Sequence, residues 1–304
     1  MRRPQETSIE HFESLRRRGH EQVDQGRLDE ALATYDEALE WAQCHGDQRT
    51  ADLAFCNRAA VLVAQGDGRR MVGPLRLILL RSSDSTVRHL AAYNVSLFYE
   101  SAGDHQKGLF YARLALDHAT NTGKSEFIGR SHNRIGNALI AQSYFDQAQA
   151  SYLRALEVLG EEPSLVRVAN LNNIGYCHIV MGSYEAGFEA LFGSLRLLRK
   201  LKLFEWESHI RNDLCYAYLE IGRIEHARRH GLAALADAEK RGKWEQVKNS
   251  LYLLGEVAKE AGESLDAYSY FSRLRDEFYP EKQFIADMLM TVDTRQLVNL
   301  RALG

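Results

Sequence analysis

An all-α fold is what the sequence predicts: a solenoid of about seven helix-turn-helix repeats followed by a C-terminal helix. Three observations carry this expectation. One short signature returns seven times, as QGRLDEA (25–31), QGDGRRM (65–71), AGDHQKG (102–108), QSYFDQA (142–148), MGSYEAG (181–187), IGRIEHA (221–227) and AGESLDA (261–267). Its second residue is Gly26, Gly66, Gly103, Ser143, Gly182, Gly222 and Gly262, at intervals of 40, 37, 40, 39, 40 and 40. A near-constant period of this length marks a repeat architecture. Small residues also recur at fixed offsets from the turn. Finally, the chain of 304 residues is 45% hydrophobic and holds only 4 Pro, enough apolar material for a sizeable core and few helix breakers.

Each element of a repeat follows from its residues. The turn glycine ends one helical pattern and precedes the next, where a left-handed C-cap residue is needed. Five residues later stands Ala31, Gly108, Ala148, Gly187, Ala227 or Ala267, with Met71 the exception. Seven residues before the turn stands Gly19, Ala59, Ser96, Gly136, Gly175, Cys215 or Gly255. Small residues on both helices allow a close crossing, and larger ones such as Tyr35, Tyr152, Leu191 and Phe271 fill the space a turn further on. The repeats run approximately over 8–46, 47–85, 86–124, 125–163, 164–203, 204–243 and 244–280, one solenoid over 1–280. Residues 281–304 are left for a capping or dimerisation helix, with Phe284, Met288, Val292, Leu297 and Leu300 as its apolar positions. Repeat 2 is the weakest copy, because Gly73-Pro74 falls inside its second helix and predicts a kink or restart there.

The glycine turn and the spaced Ala-x-x-x-Tyr-x-x-Ala of DEALATYDEAL and DQAQASYLRAL resemble the tetratricopeptide repeat, over about residues 8–280. At about 40 residues the units exceed the common 34-residue repeat. In length they resemble the repeats of kinesin light chains, Pins-type polarity scaffolds and bacterial peptide-pheromone receptors. The resemblance implies a right-handed superhelix whose first helices line a concave groove that binds a protein or peptide.

Composition excludes several classes. A net charge of -3 with 14 Tyr and 12 Phe argues against disorder and gives no global pull toward nucleic acid or anionic lipid. No apolar run approaches the roughly 18 residues that span a bilayer, and MRRPQETSIEHFESLRRRGH lacks the apolar region of a secretory signal. Cys44, Cys56, Cys177 and Cys215 lie far apart, which suits free thiols in a reducing compartment, so a cytoplasmic location is expected. The basic N-terminal stretch of Arg2, Arg3 and Arg16-Arg17-Arg18 points to different sides of a helix and forms no stripe.

No catalytic constellation is found. Gly123-Lys124-Ser125 resembles the end of a phosphate loop, but His118 stands where the upstream glycine is required. His226 and His230 share a helix face, the nearest approach to metal-ligand spacing, without Cys or carboxylate support. The chain is therefore expected to be no enzyme and to need no cofactor or metal.

One constellation rises above the scaffold. The first helices of repeats 2 to 6 read CNRAA (56–60), YNVSL (93–97), HNRIGN (132–137), LNNIGY (171–176) and RNDLCY (211–216), each with Asn in a one-residue window. Asn133, Asn172 and Asn212 share one aligned position, which holds Tyr252 in repeat 7; Asn57, Asn94 and Asn173 share the next. Four residues on, along the same face, stand Asn137, Tyr176, Tyr216 and Glu256; three residues back stand Arg130, Ala169, His209 and Asn249. Asn is a poor helix-interior residue, so its recurrence needs a cause. Carboxamides that meet the N–H and C=O groups of an extended peptide are one cause, with Tyr176, Tyr216 and Tyr252 adding flat surface and Arg130 or His209 meeting a carboxylate. Hydrogen bonds that tie repeat to repeat are the other.

Together these features predict a non-catalytic receptor or scaffold, with Asn94, Arg130, Asn133, Asn137, Asn172, Tyr176, His209, Asn212, Tyr216, Asn249 and Tyr252 as binding residues. A regulatory sensor that changes shape on peptide binding is the alternative. A homodimer through 284–300 and an embedded phosphatase or hydrolase are the lesser ones.

Overall fold

The structure, a computed structural model, describes residues 4–45 and 47–294, with side chains from residue 10 onward. Among the described residues every regular element is helical. The helices form seven pairs: α1 (Pro4–Asp24) with α2 (Leu28–His45), α3 (Gln48–Ala64) with α4 (Val72–Arg81), and α5 (Ser85–Ser101) with α6 (His105–Thr122). Next come α7 (Ser125–Ile140) with α8 (Phe145–Leu159) and α9 (Leu165–Val180) with α10 (Tyr184–Leu201). The last pairs are α11 (Glu207–Glu220) with α12 (Ile224–Lys240) and α13 (Trp244–Glu260) with α14 (Ser264–Phe278), followed by α15 (Ile285–Thr291).

All seven turns close in the same way. The residue at the turn position has φ between 62° and 89°, and Ser143 adopts this left-handed conformation where the other six positions hold Gly. The next residue's N–H returns to a carbonyl five residues earlier, as in Arg27 N to Gln22 O and Arg223 N to Tyr218 O, each 2.8 Å. Side-chain caps start several helices: Asp47, Asp84, Asp104 and Ser164 accept from the backbone N–H three residues on.

The chain divides into two compact units, residues 1–138 and 139–304. In the first, Gly19 lies under the Tyr35 ring so closely that a Cβ would sit 2.4 Å from Tyr35 Cε1. Ser96 donates to Gly108 O at 2.9 Å across the α5–α6 crossing. The second helix of repeat 2 starts only at Val72, after a 3-10 turn at Gly68–Met71. Pro74 thus occupies the first turn of α4, where a missing N–H costs nothing, and the helix is only 10 residues long. The restart falls where the Gly73-Pro74 pair predicts one, and it leaves Leu77 and Leu80 exposed. His89 is buried against the Phe127 ring, with centroids 4.5 Å apart, and donates from Nδ1 to Ala115 O at 3.1 Å.

The second unit repeats the crossing rule. A Cβ on Gly175 would lie 2.7 Å from Leu191 Cγ, and one on Gly255 would lie 2.2 Å from Phe271 Cε1. Leu191, Leu195, Leu198, Ile210 and Leu214 build its central cluster. The helix α15 packs differently from the sequence expectation. Ala286 and Leu289 are its buried residues, whereas Phe284, Met288 and Val292 face outward. In a seven-residue helix the buried stripe is set by the chain's re-entry at Tyr279-Pro280, which the apolar spacing alone does not register. Leu297 and Leu300 lie outside the described residues, as do Arg2 and Arg3.

The Gly255–Phe271 crossing gives a first prediction. Gly255→Ala should lower stability by about 1–3 kcal/mol despite the better helix propensity of Ala, because the Phe271 ring must shift. Urea denaturation of both proteins checks it.

His89 gives a second. Burial, opposed by its bond to Ala115 O, pushes the imidazole down to about 4. Between pH 6.5, its ordinary value, and pH 4 the unfolded chain takes up a proton that the folded chain refuses, so stability present above pH 6.5 is lost as pH falls through this window. The loss from this group is on the order of 3 kcal/mol at most. His89→Gln should be less stable at pH 8 and show a flatter decline toward pH 4, measured by urea midpoints across that range.

Candidate functional site

The first helices carry the aligned face, and their side chains divide into a buried polar layer and a partly open one. In the first unit Asn94 is buried and donates from Nδ2 to Cys56 O of the preceding repeat at 2.6 Å. Asn133 and Asn137 of α7 are half-buried, as is Arg130, which pairs with Glu126 at 3.2 Å one turn away. The charge of Arg130 on α7 reaches His20 and Asp24 on α1. Burial first, then the charges of Arg16 and Arg130, hold the His20 imidazole below its ordinary value. Burial likewise raises the Asp24 carboxyl, against the Arg130 charge. Arg16, His20, Asp24, Glu126 and Arg130 therefore lie near enough to sense one another's charge.

In the second unit the ladder ties helix to helix. Asn172 is 1% exposed and donates to Asp213 Oδ2 of the next repeat at 2.6 Å. Its Oδ1 is buried without a hydrogen-bond partner among the described residues. Asn212, 3% exposed, donates to Gln246 O and Gln246 Oε1 at 3.2 Å each and accepts from Ser250 Oγ at 2.8 Å. Both ends of that carboxamide are thus engaged. Asn249 is buried and its Oδ1 has no partner among the described residues. Tyr176 is buried, Tyr216 half-buried, and their rings meet with centroids 5.8 Å apart. His209 is half-buried and lines a hollow with Gln246.

Repeat 7 shows something that spacing could not. Beyond α15 the backbone turns extended at Val292, with φ -102° and ψ 137°. This stretch lies against α13. Lys259 Nζ donates to Leu289 O at 2.8 Å, to Val292 O at 3.2 Å and to Glu256 Oε1 at 2.8 Å. The Tyr252 hydroxyl meets Thr294 Oγ1 at 3.1 Å, and Thr294 is within 3.3 Å of Glu256 Oε1. Glu256 stays 1% exposed because this network accepts its charge. Tyr252, expected among the binding residues, here holds the chain's own C-terminal stretch.

Other candidates resolve as structure. His230 stacks on Tyr218 and His226 lies tilted against it, with centroids 5.5 and 5.0 Å away. Burial and the Arg211 and Arg229 charges push His230 down to about 4, which suits a packed neutral ring. No group of three or more metal-ligating side chains occurs among the described residues. The four cysteines are free, and Cys56, Cys177 and Cys215 are buried. No helix among the described residues is long and apolar enough to cross a membrane.

Sequence reasoning missed the partners of the ladder, Asp213, Gln246 and Ser250, and the tail contacts of Lys259. It also missed the exposed Trp206 and Trp244, which line a hollow with His209, and the exposed Phe204 two residues before Trp206. The 40-residue spacing of Phe204 and Trp244 was an available signal for that last group.

Comparison with known proteins follows from this geometry. The tetratricopeptide repeat family matches residues 13–43 and 129–158, within the α1–α2 and α7–α8 pairs. None of the curated proteins matches the chain in sequence. Among solved structures, a Rap protein complexed with competence and sporulation factor is similar at a TM-score of 0.69. That match has 15% identity and covers 85% of this chain and 72% of the other. The apo form of RapI is similar at 0.66 and 13% identity, over 88% of this chain and 98% of that one. Aspartyl phosphate phosphatase F from Bacillus subtilis follows at 0.58 and 13%, over 100% and 87%. At such identities the likeness is one of fold. Two segments match the tetratricopeptide repeat in sequence, and the helical repeat fold along the described residues is similar to that of tetratricopeptide-repeat proteins.

Proposed function

We propose that the protein is a non-catalytic receptor or scaffold whose first-helix face holds an extended segment of a partner protein or peptide. One observation carries this reading. The stretch at Val292–Thr294, extended at Val292, lies against α13, where Lys259 takes up the Val292 carbonyl and the Tyr252 hydroxyl meets that of Thr294. The same face in earlier repeats offers chemistry of the same kind. Extended chain needs donors and acceptors for its main chain, and inner-face amides, hydroxyls and cations supply them. The similarity of fold to a Rap protein complexed with competence and sporulation factor supports the same reading.

Within this proposal the ladder has two roles. Asn94, Asn172 and Asn212 set the spacing of neighbouring first helices. Arg130, Asn133, Asn137, His209 and Tyr216, all half-buried, are the groups a ligand reaches. Asn249, Tyr176 and Tyr252 support them from beneath. The regulatory alternative shares this site and adds a change of shape on binding. The protein is taken to work in the cytoplasm, where free thiols persist.

Two outcomes test the division. Asn212→Ala should cost about 1–3 kcal/mol of stability, since Gln246 and Ser250 lose a buried partner; urea denaturation measures it. Arg130→Ala should leave stability within about 0.5 kcal/mol, its ion pair to Glu126 being a surface one. The same variant should nevertheless retain fewer peptides than wild type from a random-sequence library passed over immobilised protein. A wild-type protein that retains no peptide refutes the proposal.

A further inference from the structure

A hollow of about 280 Å³ opens where α11 and α13 begin, lined by Glu205, Trp206, Ser208, His209, Lys243, Trp244, Glu245 and Gln246. That is far more than the roughly 10–15 Å³ a single water needs. Trp206 and Trp244 are 43% and 62% exposed, so two partly exposed indoles line one recess. Isolated exposed aromatics need no explanation, but a pair lining one concavity does. Glu205 and Glu245 have no ion-pair partner among the described residues, even though Lys243 shares the recess. The Lys243 ammonium instead lies over the Trp206 ring, 5.8 Å from its centroid. Ser208 is 1% exposed, lines the recess, and makes no side-chain hydrogen bond among the described residues.

These features share one chemistry. An indole face attracts a cation through its quadrupole, and a carboxylate beside it adds charge and hydrogen-bond acceptors. Two carboxylates outnumber the single ammonium, and the ring that the ammonium covers shows how a cation sits there. The buried serine hydroxyl supplies one further acceptor at the floor. We propose that this hollow seats a cationic side chain, guanidinium or ammonium, projecting from the extended segment bound on the first-helix face. Lys243 is then an internal stand-in that the ligand's cation displaces. The proposal rests on the peptide-binding reading above and names what one side chain of that peptide must be. A guanidinium suits the site better than an ammonium, since a guanidinium plane stacks on an indole face and its N–H fork matches a carboxylate.

The test compares two libraries of unstructured dodecapeptides that differ at one fixed central position, arginine in one and citrulline in the other. Citrulline keeps the shape and loses the charge. Wild-type protein should retain the arginine library about five- to tenfold more strongly. Glu205→Gln with Glu245→Gln should abolish that preference while leaving the far-ultraviolet circular dichroism and thermal midpoint unchanged. Lys243→Gln should widen it by removing the internal competitor, whereas Lys240→Gln, the same charge change at an exposed site outside the hollow, should not. Equal retention of the two libraries overturns the cation site and leaves the peptide-binding reading standing. A preference that survives in the double glutamine variant also overturns it, since the cation then binds elsewhere. Retention of neither library removes both.

Discussion

The close crossing inside each helix pair is the constraint on which the other features depend. At Gly19, Gly175 and Gly255 the first helix has no side chain, and the ring or branched chain of Tyr35, Leu191 or Phe271 presses on its backbone. Dispersion contacts of this kind are individually small and vanish over a gap of an ångström, so the pair has one well-defined depth. A fixed depth within each pair then fixes how the next pair can stack. Only because neighbouring first helices are held at one spacing can Asn212 reach Gln246 and Ser250, or Asn94 reach Cys56 O. The polar ladder is a consequence of the packing as much as a contributor to it.

Such a layer is costly unless nearly every group is satisfied. Asn212 satisfies both ends of its carboxamide, while Asn172 leaves Oδ1 unmatched and Asn249 does the same. These two orphaned oxygens lie on α9 and α13, the first helices on either side of α11, which carries His209 and Tyr216. A buried acceptor without a donor favours any ligand N–H that reaches it, so the scaffold's residual cost and its capacity to bind belong to the same few positions.

Turn and crossing were legible in the sequence because both are local. A left-handed turn demands Gly within one or two positions, and a crossing demands a small residue at a fixed offset, so Gly26 or Gly255 announces its role without reference to distant chain. Ser143 shows the converse: the period, not the residue type, revealed that turn. The role of the asparagines was not legible. Asn94 meets a carbonyl 38 residues away and Asn172 a carboxylate 41 residues away. Whether a carboxamide faces a neighbour or a ligand depends on sub-ångström spacing between repeats, which no pattern of residue types encodes. The inward face of α15 escaped for a similar reason, since seven residues hold too few turns for periodicity to choose between Leu289 and Met288.

The short helix α4 has a further consequence. Short as it is, α4 buries Leu75, Ile78 and Leu79 in one cluster with Val87, Ala91 and Val95 of α5, and polar contacts surround it: Arg49 with Asp84, Arg81 with the buried Asp52, and Asn94 with Cys56 O. Apolar joints weaken on cooling and depend little on ionic strength, whereas charged joints that reach solvent are screened within about a nanometre at moderate salt. Concentrated salt therefore weakens only the charged rim around α4, while the apolar cluster beneath it answers to temperature instead.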